Sequence, residues 1–243
     1  MPTDRILIGV DDTDYGDSIG TGGFARELQL KLVHDLGAVP LGVTRHQLFV
    51  HPDIPYTSHN SAACIAIECS ADLGQVAALC KDFVAFMFHP GADPGLCIAP
   101  AGRPAAEVLA FGQRAQTSVL TLAEAEELGK AAGWGLWGLG GTNGGMIGAL
   151  CAVGLRMGGD DGKFLSLRGI RSIPKGAIAV SALKERTSIE IVRDTAGRDL
   201  ADEETVIARH GVRPELARGR IVLTVEERDG AFATLPGKKG DDA

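Results

Sequence analysis

Alternating strand and helix patterns in this chain of 243 residues predict an α/β or α+β fold. Three observations support the prediction: an apolar run rich in β-branched residues opens the chain, an amphipathic helix pattern follows it, and the same succession returns further on. The chain is long enough for one large domain or two modest ones with a buried core. Its composition, with 45% hydrophobic and 23% charged residues, is that of an ordinary globular protein.

The opening segment predicts a strand, an acidic glycine-rich loop and a helix. Arg5–Val10 has the pattern of a buried strand. Between residues 24 and 36 a Phe or Leu recurs every four positions, which predicts a helix with one apolar stripe, and Gly37 is placed to end it. The next predicted elements are a strand over Val39–Val50, a strand in the sequence AACIAIEC and a helix over Gly74–Phe88.

The alternation continues after the turn sequence GADPG, which marks a candidate domain boundary. Thr121 is placed to cap a helix, with Glu124 three residues on as in a capping box. Met146–Met157 predicts a tightly packed helix entered from the loop GGTNGG, and the polar tail 237–243 is expected to be disordered. The remaining predicted elements are a strand over Leu96–Ala99, helices over Pro104–Ala115 and Leu122–Ala132, and strands over Phe164–Arg168, Ile189–Arg193 and Ile221–Glu226.

Charge and cysteine content narrow the function classes. The net charge of −7 argues against an extended phosphate-binding surface, although it leaves room for a local basic cleft. The five cysteines lie in apolar segments without a Cys-x-x-Cys pair, which favours buried free thiols in a reducing compartment over a zinc site or disulfides. Acidic residues come too early for a secretory signal, and no membrane span is evident, so a cytoplasmic location is expected.

Three carboxylates occur within four positions directly after the first predicted strand. Asp11, Asp12 and Asp14 repel one another, and folding alone gains nothing evident from this arrangement. Mg²⁺ would relieve the repulsion, because it takes oxygen ligands and usually bridges carboxylates to phosphates. The alternative is a solvated turn held by Asx hydrogen bonds. These residues are the predicted metal ligands and, together with Thr21, the predicted catalytic residues.

The following segment, SIGTGG, begins the predicted helix. The exposed N–H groups of a helix start bind phosphate, and glycine allows close approach, so Gly20, Gly22 and Gly23 are predicted to contact a nucleotide. The segment is not a Walker A motif, because the Gly-Lys-Ser/Thr element is missing. Thr21 either caps the helix or presents its hydroxyl to a metal or a phosphoryl group. Carboxylates and loop together predict binding of ATP with Mg²⁺.

Several polar residues follow the second predicted strand. His46, His51 and His59 lie near one another, but their spacing is not that of two ligands on one helix face. Hydrogen-bonding histidines are therefore favoured over a metal triad. His59, Asn60 and Ser61 offer groups for a polar ligand and are predicted to contact the substrate.

A second glycine-dense segment precedes the helix predicted at residue 146. Asn143, Gly144 and Gly145 are predicted to form a second nucleotide cradle, and a linker with close helix packing is the alternative. Trp134 and Trp137, just before it, either stack on a base or pack in the core.

In their order, these segments resemble the archaeal tRNA 2-agmatinylcytidine synthetases, which modify the wobble cytidine of an isoleucine tRNA. That family opens with a strand and Gly-Ile-Asp-Asp-Thr-Asp-Ser, similar to GVDDTD at Gly9–Asp14, with Tyr15 in place of Ser. Its next element is a Gly-Cys-Thr-Thr-like helix start, similar to Gly20 and Thr21. Its Asn-Pro-Asn-Ile-Pro-Trp/Tyr-Lys-Thr-Arg-Gly-Asn stretch resembles HPDIPYTSHNS at His51–Ser61.

Two further matches complete the resemblance. The family's Asn-x-Asn-Pro-Gly resembles GADPG at Gly91–Gly95. Its Gly-Leu-Ile-Gly-Ala-Leu-Ala-Ala-Ile-Gly is similar to GMIGALCAVG at Gly145–Gly154. The five matches follow the same order and span most of the chain up to residue 170.

The resemblance implies a kinase-like nucleotide-binding domain at residues 1–90, a ferredoxin-like domain at residues 91–175 and a β-rich segment at 176–243. It implies an ATP- and Mg²⁺-dependent enzyme, a ligase or phosphotransferase, that activates a carbonyl or hydroxyl group of a small molecule or nucleotide. The acidic motif would lie at the metal. One alternative is a tRNA cytidine-modifying enzyme that relies on a partner for RNA binding. The other is a non-catalytic nucleotide- or RNA-binding protein.

Several positions depart from the family pattern. The OB-fold and zinc ribbon with which the family grips tRNA are expected to be missing. The Lys and Arg of the family's Lys-Thr-Arg element are Thr57 and His59 here, and the second Thr of its helix start is Gly22. A basic residue that precedes Gly-Leu-Ile-Gly-Ala in the family is Gly144 here. Because cations that would meet a polynucleotide are absent at these positions, a small-molecule or nucleotide substrate is expected over tRNA.

Overall fold

The computed structural model describes residues 3–14, 16, 18–54, 60–228 and 230–236. Its helices are α1 Gly20–Leu36, α2 Leu73–Met87, α3 Ala106–Ala115, α4 Leu122–Ala132, α5 Gly145–Gly158 and α6 Val180–Arg186, with a 3₁₀ helix at Ile170–Ser172. Its strands are β1 Asp4–Asp11, β2 Val39–Gln47, β3 Ser61–Cys69, β4 Gly95–Pro100, β5 Gly135–Gly138, β6 Lys163–Ser166, β7 Gly176–Ala179, β8 Ile191–Asp194, β9 Thr205–Ala208, β10 Glu215–Ala217, β11 Arg220–Arg228 and β12 Ala231–Thr234. The tail that was predicted to be disordered, residues 237–243, lies outside the described residues.

The mixed α/β fold predicted from the sequence is confirmed, and each predicted strand and helix is present with its ends shifted by a few residues. Gly37 ends α1 in a left-handed conformation with φ of 62°, as predicted, and its N–H donates to the carbonyl oxygens of the last turn. The Thr121 hydroxyl caps α4 by accepting the N–H of Glu124. The short elements β5, β7, β9, β10, β12 and α6 were not predicted.

The first hundred residues follow the order βαββαβ. The four strands form an antiparallel sheet in the order β4-β1-β3-β2, which is the ferredoxin-like arrangement. The prediction had placed a ferredoxin-like domain at residues 91–175, after a separate domain at 1–90. In the structure β4 pairs with β1, so the segments on both sides of residue 90 share one sheet. The sequence GADPG indicates a turn, and a turn within a sheet has the same chemistry as a turn between domains.

Helices cover both faces of this sheet. One core holds α1 and α2 against one face, and a second core holds α3, α4 and α5 against the other. Trp134 is buried in the second core, so core packing is the interpretation that holds for it. The Trp137 ring lies 3.8 Å from the Lys81 ammonium group, which also favours packing over an open face for a base.

The sheet continues through β6 into the C-terminal part of the chain. Strand β6 pairs with β2 on one side and with β10 on the other, and β11, β12, β9 and β7 follow in that order. Strand β8 lies parallel to β11. A third apolar core, which includes Ile170, Val180, Leu183, Leu223 and Val225, fills this part.

All five cysteines are buried free thiols, as predicted. Burial raises the pKa of Cys64 and Cys80 to about 12, which keeps both thiols protonated at neutral pH. In the part of the chain that the structure describes, none of the helices combines the length and apolar character needed to cross a membrane.

Candidate active site

A cleft with a volume of about 190 Å³ opens where β1 ends beside the start of α5. Strands β1 and β3 are antiparallel neighbours, with Val10 opposite Ala63, so the end of β1 and the start of β3 meet at one edge of the sheet. The predicted site residues that line this cleft are Asp11, Asp12, Asp14, Thr21, Asn60, Ser61, Gly144 and Gly145. The fold therefore brings together the acidic loop, the start of α1 and the start of α5.

The Asp11 carboxylate lies directly against α5. A Cβ atom added to Gly148 would come within 1.8 Å of Asp11 Oδ2, so only glycine at this position leaves room for the carboxylate. Burial, and next the charge of Asp12, raise the pKa of Asp11 from 3.8 to about 7.

Asp12 has an unusual backbone conformation for a residue with a side chain. Its φ is 50°, in the left-handed region, and its carbonyl oxygen accepts the N–H of Asp93 at 3.2 Å. Burial, followed by the charges of Asp93 and Asp14, raises the pKa of Asp12 to about 6. The acidic loop is thus held in a conformation that keeps its carboxylates close together.

Thr21 lies inside the first turn of α1. The helix begins at Gly20 with Ile19 as its N-cap, so the alternative in which Thr21 caps the helix is wrong. The Thr21 hydroxyl instead donates to Asp14 Oδ1 at 2.9 Å and accepts from the Thr13 hydroxyl at 3.3 Å. This chain of hydroxyl groups fixes the Asp14 carboxylate relative to the helix start.

Asp93 is a cleft residue that the sequence analysis missed. Its carboxylate accepts the N–H groups of Thr142, Asn143 and Gly144, and also the Thr142 hydroxyl. Asp93 thus engages the backbone N–H groups of Asn143 and Gly144, and the nucleotide cradle at Asn143, Gly144 and Gly145 stays a prediction. Asp93 lies in the GADPG turn, and the Asn-x-Asn-Pro-Gly likeness was the one signal that marked its position.

The remaining predicted residues have separate environments. Gly20, Gly22 and Gly23 lie in the first turn of α1, next to the cleft but outside its lining, and Gly145 lies in the lining at the first turn of α5. The Asn60 amide donates to the carbonyl oxygen of Phe49, and the Ser61 hydroxyl accepts from Arg45 at 2.9 Å. The predicted substrate contact at His59 lies outside the described residues, as does Tyr15.

A metal site that includes His46, the alternative considered for the three neighbouring histidines, is not supported by the surroundings of His46. Its ring is completely buried, with Nε2 at 2.8 Å from the Thr44 hydroxyl and Nδ1 at 2.6 Å from Asp161 Oδ2. Burial lowers the pKa of His46, and the hydrogen bond and the charge of Asp161 offset this only in part. Both ring nitrogens are engaged, so this histidine is a structural hydrogen-bonding residue.

Electrostatics define what the cleft can bind. Five carboxylates line it, those of Asp11, Asp12, Asp14, Asp53 and Asp93, and its described lining contains no Lys, Arg or His. A triphosphate approaching this surface alone would be repelled. Within the described ranges no three His, Cys, Asp or Glu side chains are arranged to enclose a metal ion by themselves. Mg²⁺ does not require such a cage, because it is usually held by one or two carboxylates and by substrate phosphates.

Comparisons with known proteins bear on the fold. No family model matches the sequence, and no curated protein matches it. Among solved structures, the chain is similar to a complex of TiaS with an isoleucine tRNA and ATP, at 22% identity and a TM-score of 0.57, over 72% of this chain and 42% of that one. A complex of TiaS with the same tRNA, AMPCPP and agmatine matches at 20% identity and a TM-score of 0.56, over 73% and 43%.

A tRNA fluorescent labeling enzyme is also similar, at 24% identity and a TM-score of 0.54, over 62% of this chain and 36% of that one. The match thus spans less than half the length of each of these proteins. At these identities the likeness shows a shared fold, and it agrees with the resemblance in the sequence motifs.

Proposed function

We propose that this chain is an ATP- and Mg²⁺-dependent enzyme, a ligase or phosphotransferase, that activates a carbonyl or hydroxyl oxygen of a small molecule or nucleotide. The observation that carries the proposal is a cleft with five carboxylates and no cation in its described lining. Folding holds Asp11 and Asp12 where their pKa values are raised, an arrangement that a divalent cation would stabilise. Two of the similar structures are complexes with ATP or AMPCPP, which supports a nucleotide as the ligand.

Asp11, Asp12 and Asp14 are the proposed metal ligands, and one or two of their carboxylates would contact the ion together with the phosphates of the nucleotide. When bound, Mg²⁺ would neutralise charge between these carboxylates and the phosphates of the nucleotide. Asp14 is oriented by the Thr21 hydroxyl, so its carboxylate is held in place before the ligand arrives. The first turn of α1 would add N–H donors and the positive end of the helix dipole on the phosphate side.

For a ligase and for a phosphotransferase alike, the reaction begins with attack of a substrate oxygen on a phosphorus atom of ATP. A P–O bond forms to that oxygen, and the bond to ADP or to pyrophosphate breaks, with the leaving group taking the electron pair. A phosphotransferase stops at the phosphorylated hydroxyl. In a ligase, an amine next attacks the activated carbon, and the phosphate or AMP leaves with the oxygen. The cleft residues bind and orient the nucleotide in either case.

Product analysis with labelled ATP tests this proposal. The chain is incubated with Mg²⁺, with α- or γ-labelled ATP and with a panel of nucleosides and amines, beside the Asp11→Asn variant. We expect acceptor-dependent release of either ADP or AMP by the wild type, and none by the variant. Release of ADP or AMP that the variant matches would contradict the proposal. Tight binding of Mg-ATP with no turnover for any acceptor would favour the non-catalytic binding protein.

A second candidate is a tRNA cytidine-modifying enzyme that depends on a partner chain for RNA binding. Two of the similar TiaS structures contain tRNA, and this chain spans 42% or 43% of their length, which leaves room for RNA-binding modules on another chain. Filter binding of tRNA at about 50 and 200 mM salt tests it. For the chain alone we expect weak binding that is lost at the higher salt. A salt-resistant, sub-micromolar complex with one tRNA would favour this second candidate.

A further inference from the structure

A second cleft, with a volume of about 410 Å³, lies on another part of the molecule. It is bounded by α1, β2 and β6 on one side and by residues 170–173 and 210–213 on the other, and we call it the basic groove. It shares no lining residue with the carboxylate cleft. Its basic lining residues are Arg26, Arg45, Lys163, Arg171, His210 and Arg213, and none of its lining residues is acidic.

The cations of the basic groove gather in a chain whose net charge is −7. The Arg26 guanidinium is partly buried, and burial first, then the charge of Arg171, lower its pKa. Among the side chains that the structure describes, Arg26, Lys163 and Arg171 have no carboxylate within ion-pair distance. Arg26 and Arg171 therefore lie close enough to repel each other, the charge of Glu27 offsets only part of that repulsion, and an anion in the groove would relieve it.

The chemistry of the lining limits what that anion can be. Guanidinium groups bind phosphate oxygens with paired hydrogen bonds, so several arginines around one cleft favour a phosphate-bearing ligand. Phe164, Leu165, Ile170 and Ile173 form the floor of the groove; three of them are buried, so the cations at its rim are the groups that a ligand would meet first. The volume lies in the range of small-molecule pockets.

We propose that the basic groove binds a phosphorylated small molecule of nucleotide size. A compact ligand is favoured over a polynucleotide, because a polyanion that extended beyond the groove would meet the surface of a chain with net charge −7. A contact between described residues links the groove to the carboxylate cleft. Arg45, which lines the groove, donates from Nε to the hydroxyl of Ser61, which lines the cleft. The proposal stands independently of the function proposed for that cleft.

Isothermal titration with inorganic pyrophosphate and with AMP tests the proposal in the presence of EDTA. Without a divalent cation the carboxylate cleft repels phosphates, so any binding reports on another site. We expect binding to the wild type, a weakening of about tenfold or more in Arg171→Gln and Arg26→Gln, and no change in Arg103→Gln. Arg103 is an exposed arginine outside both clefts and serves as the matched control.

Melting temperatures separate a lost ligand contact from a lost fold. Arg171→Gln is expected to melt no lower than the wild type without ligand, because it removes a like-charge neighbour of Arg26. Its gain in melting temperature with pyrophosphate should be smaller than that of the wild type. Equal affinities in all variants, or binding of neither probe, would overturn the proposal. Binding of a single-stranded RNA oligonucleotide through Arg26 and Arg171, with no binding of pyrophosphate or AMP, would overturn it as well.

Discussion

Replacing Asp11 by Asn removes a charge from the carboxylate cleft while keeping the shape of the side chain. The carboxylate lies against Gly148 and accepts the Asp12 backbone N–H, which the Asn oxygen can also accept. The change should therefore have two opposite effects. It should abolish Mg-ATP binding, because a metal ligand is lost, and it should stabilise the ligand-free protein above neutral pH, because a partly buried charge is lost.

The magnitude of the stability gain follows from the pKa of Asp11. A carboxyl whose pKa rises from 3.8 in the unfolded chain to about 7 in the folded protein binds its proton more tightly when folded. The free energy of unfolding therefore falls as pH rises from about 4 to 7. Above pH 7 the loss reaches at most about 4 kcal/mol, and solvent at the partly exposed carboxylate reduces it.

Urea unfolding at pH 4.5 and pH 8 measures this difference. Asp11→Asn should have nearly the stability of the wild type at pH 4.5, and should be more stable than the wild type by about 1–4 kcal/mol at pH 8. Asp82→Asn, an exposed aspartate on α2, is the control and should show no such difference between the two pH values. A variant no more stable than the wild type at pH 8, or one that retains Mg-ATP affinity, would refute the reasoning.

Three further substitutions test the geometry of the cleft. Gly148→Ala should displace the carboxylate at the end of β1 and weaken Mg-ATP binding at least tenfold in titration, whereas Gly158→Ala in the same helix should leave it unchanged, because its added methyl meets only the flexible end of a leucine. Thr21→Ala should weaken Mg-ATP binding and lower stability by only about 1 kcal/mol, with Thr21→Ser as the rescuing control; unchanged affinity would remove any role of this hydroxyl. Asp93→Asn should lower the pKa of Asp12, measured by NMR titration, because it removes the largest neighbouring charge; an unchanged pKa would contradict the arrangement of carboxylates.

Local sequence patterns predicted the elements around the carboxylate cleft well. The strand β1, the helix α1 and the three carboxylates between them lie within a short stretch of chain, and each has a clear periodicity or a repeated residue type. The short strands of the C-terminal part, such as β7, β9 and β10, have three or four residues each. Three or four residues are too few to show the alternation of apolar and polar side chains that marks a strand. Pairing with strands that are distant in the sequence decides that these segments are strands.

Contacts between distant segments were beyond the reach of the sequence. Asp93 joins the site because its turn meets the 142–144 loop, about fifty residues further on. The predicted domain boundary at residue 90 depends on a long-range contact in the same way. Strand β4 pairs with β1, so the turn sequence GADPG lies within one sheet. The basic groove combines Arg26 with Lys163 and Arg171, which no local motif connects.

The central claim is that the carboxylates of the acidic loop bind ATP through Mg²⁺. Titration of a non-hydrolysable ATP analogue into the wild type and the Asp11→Asn/Asp12→Asn double variant at pH 8, with Mg²⁺ or with EDTA, tests this claim most directly. The account predicts binding by the wild type with Mg²⁺, and loss of that binding both in EDTA and in the double variant. Equal affinity with Mg²⁺ and with EDTA, or undiminished affinity in the folded double variant, would contradict it.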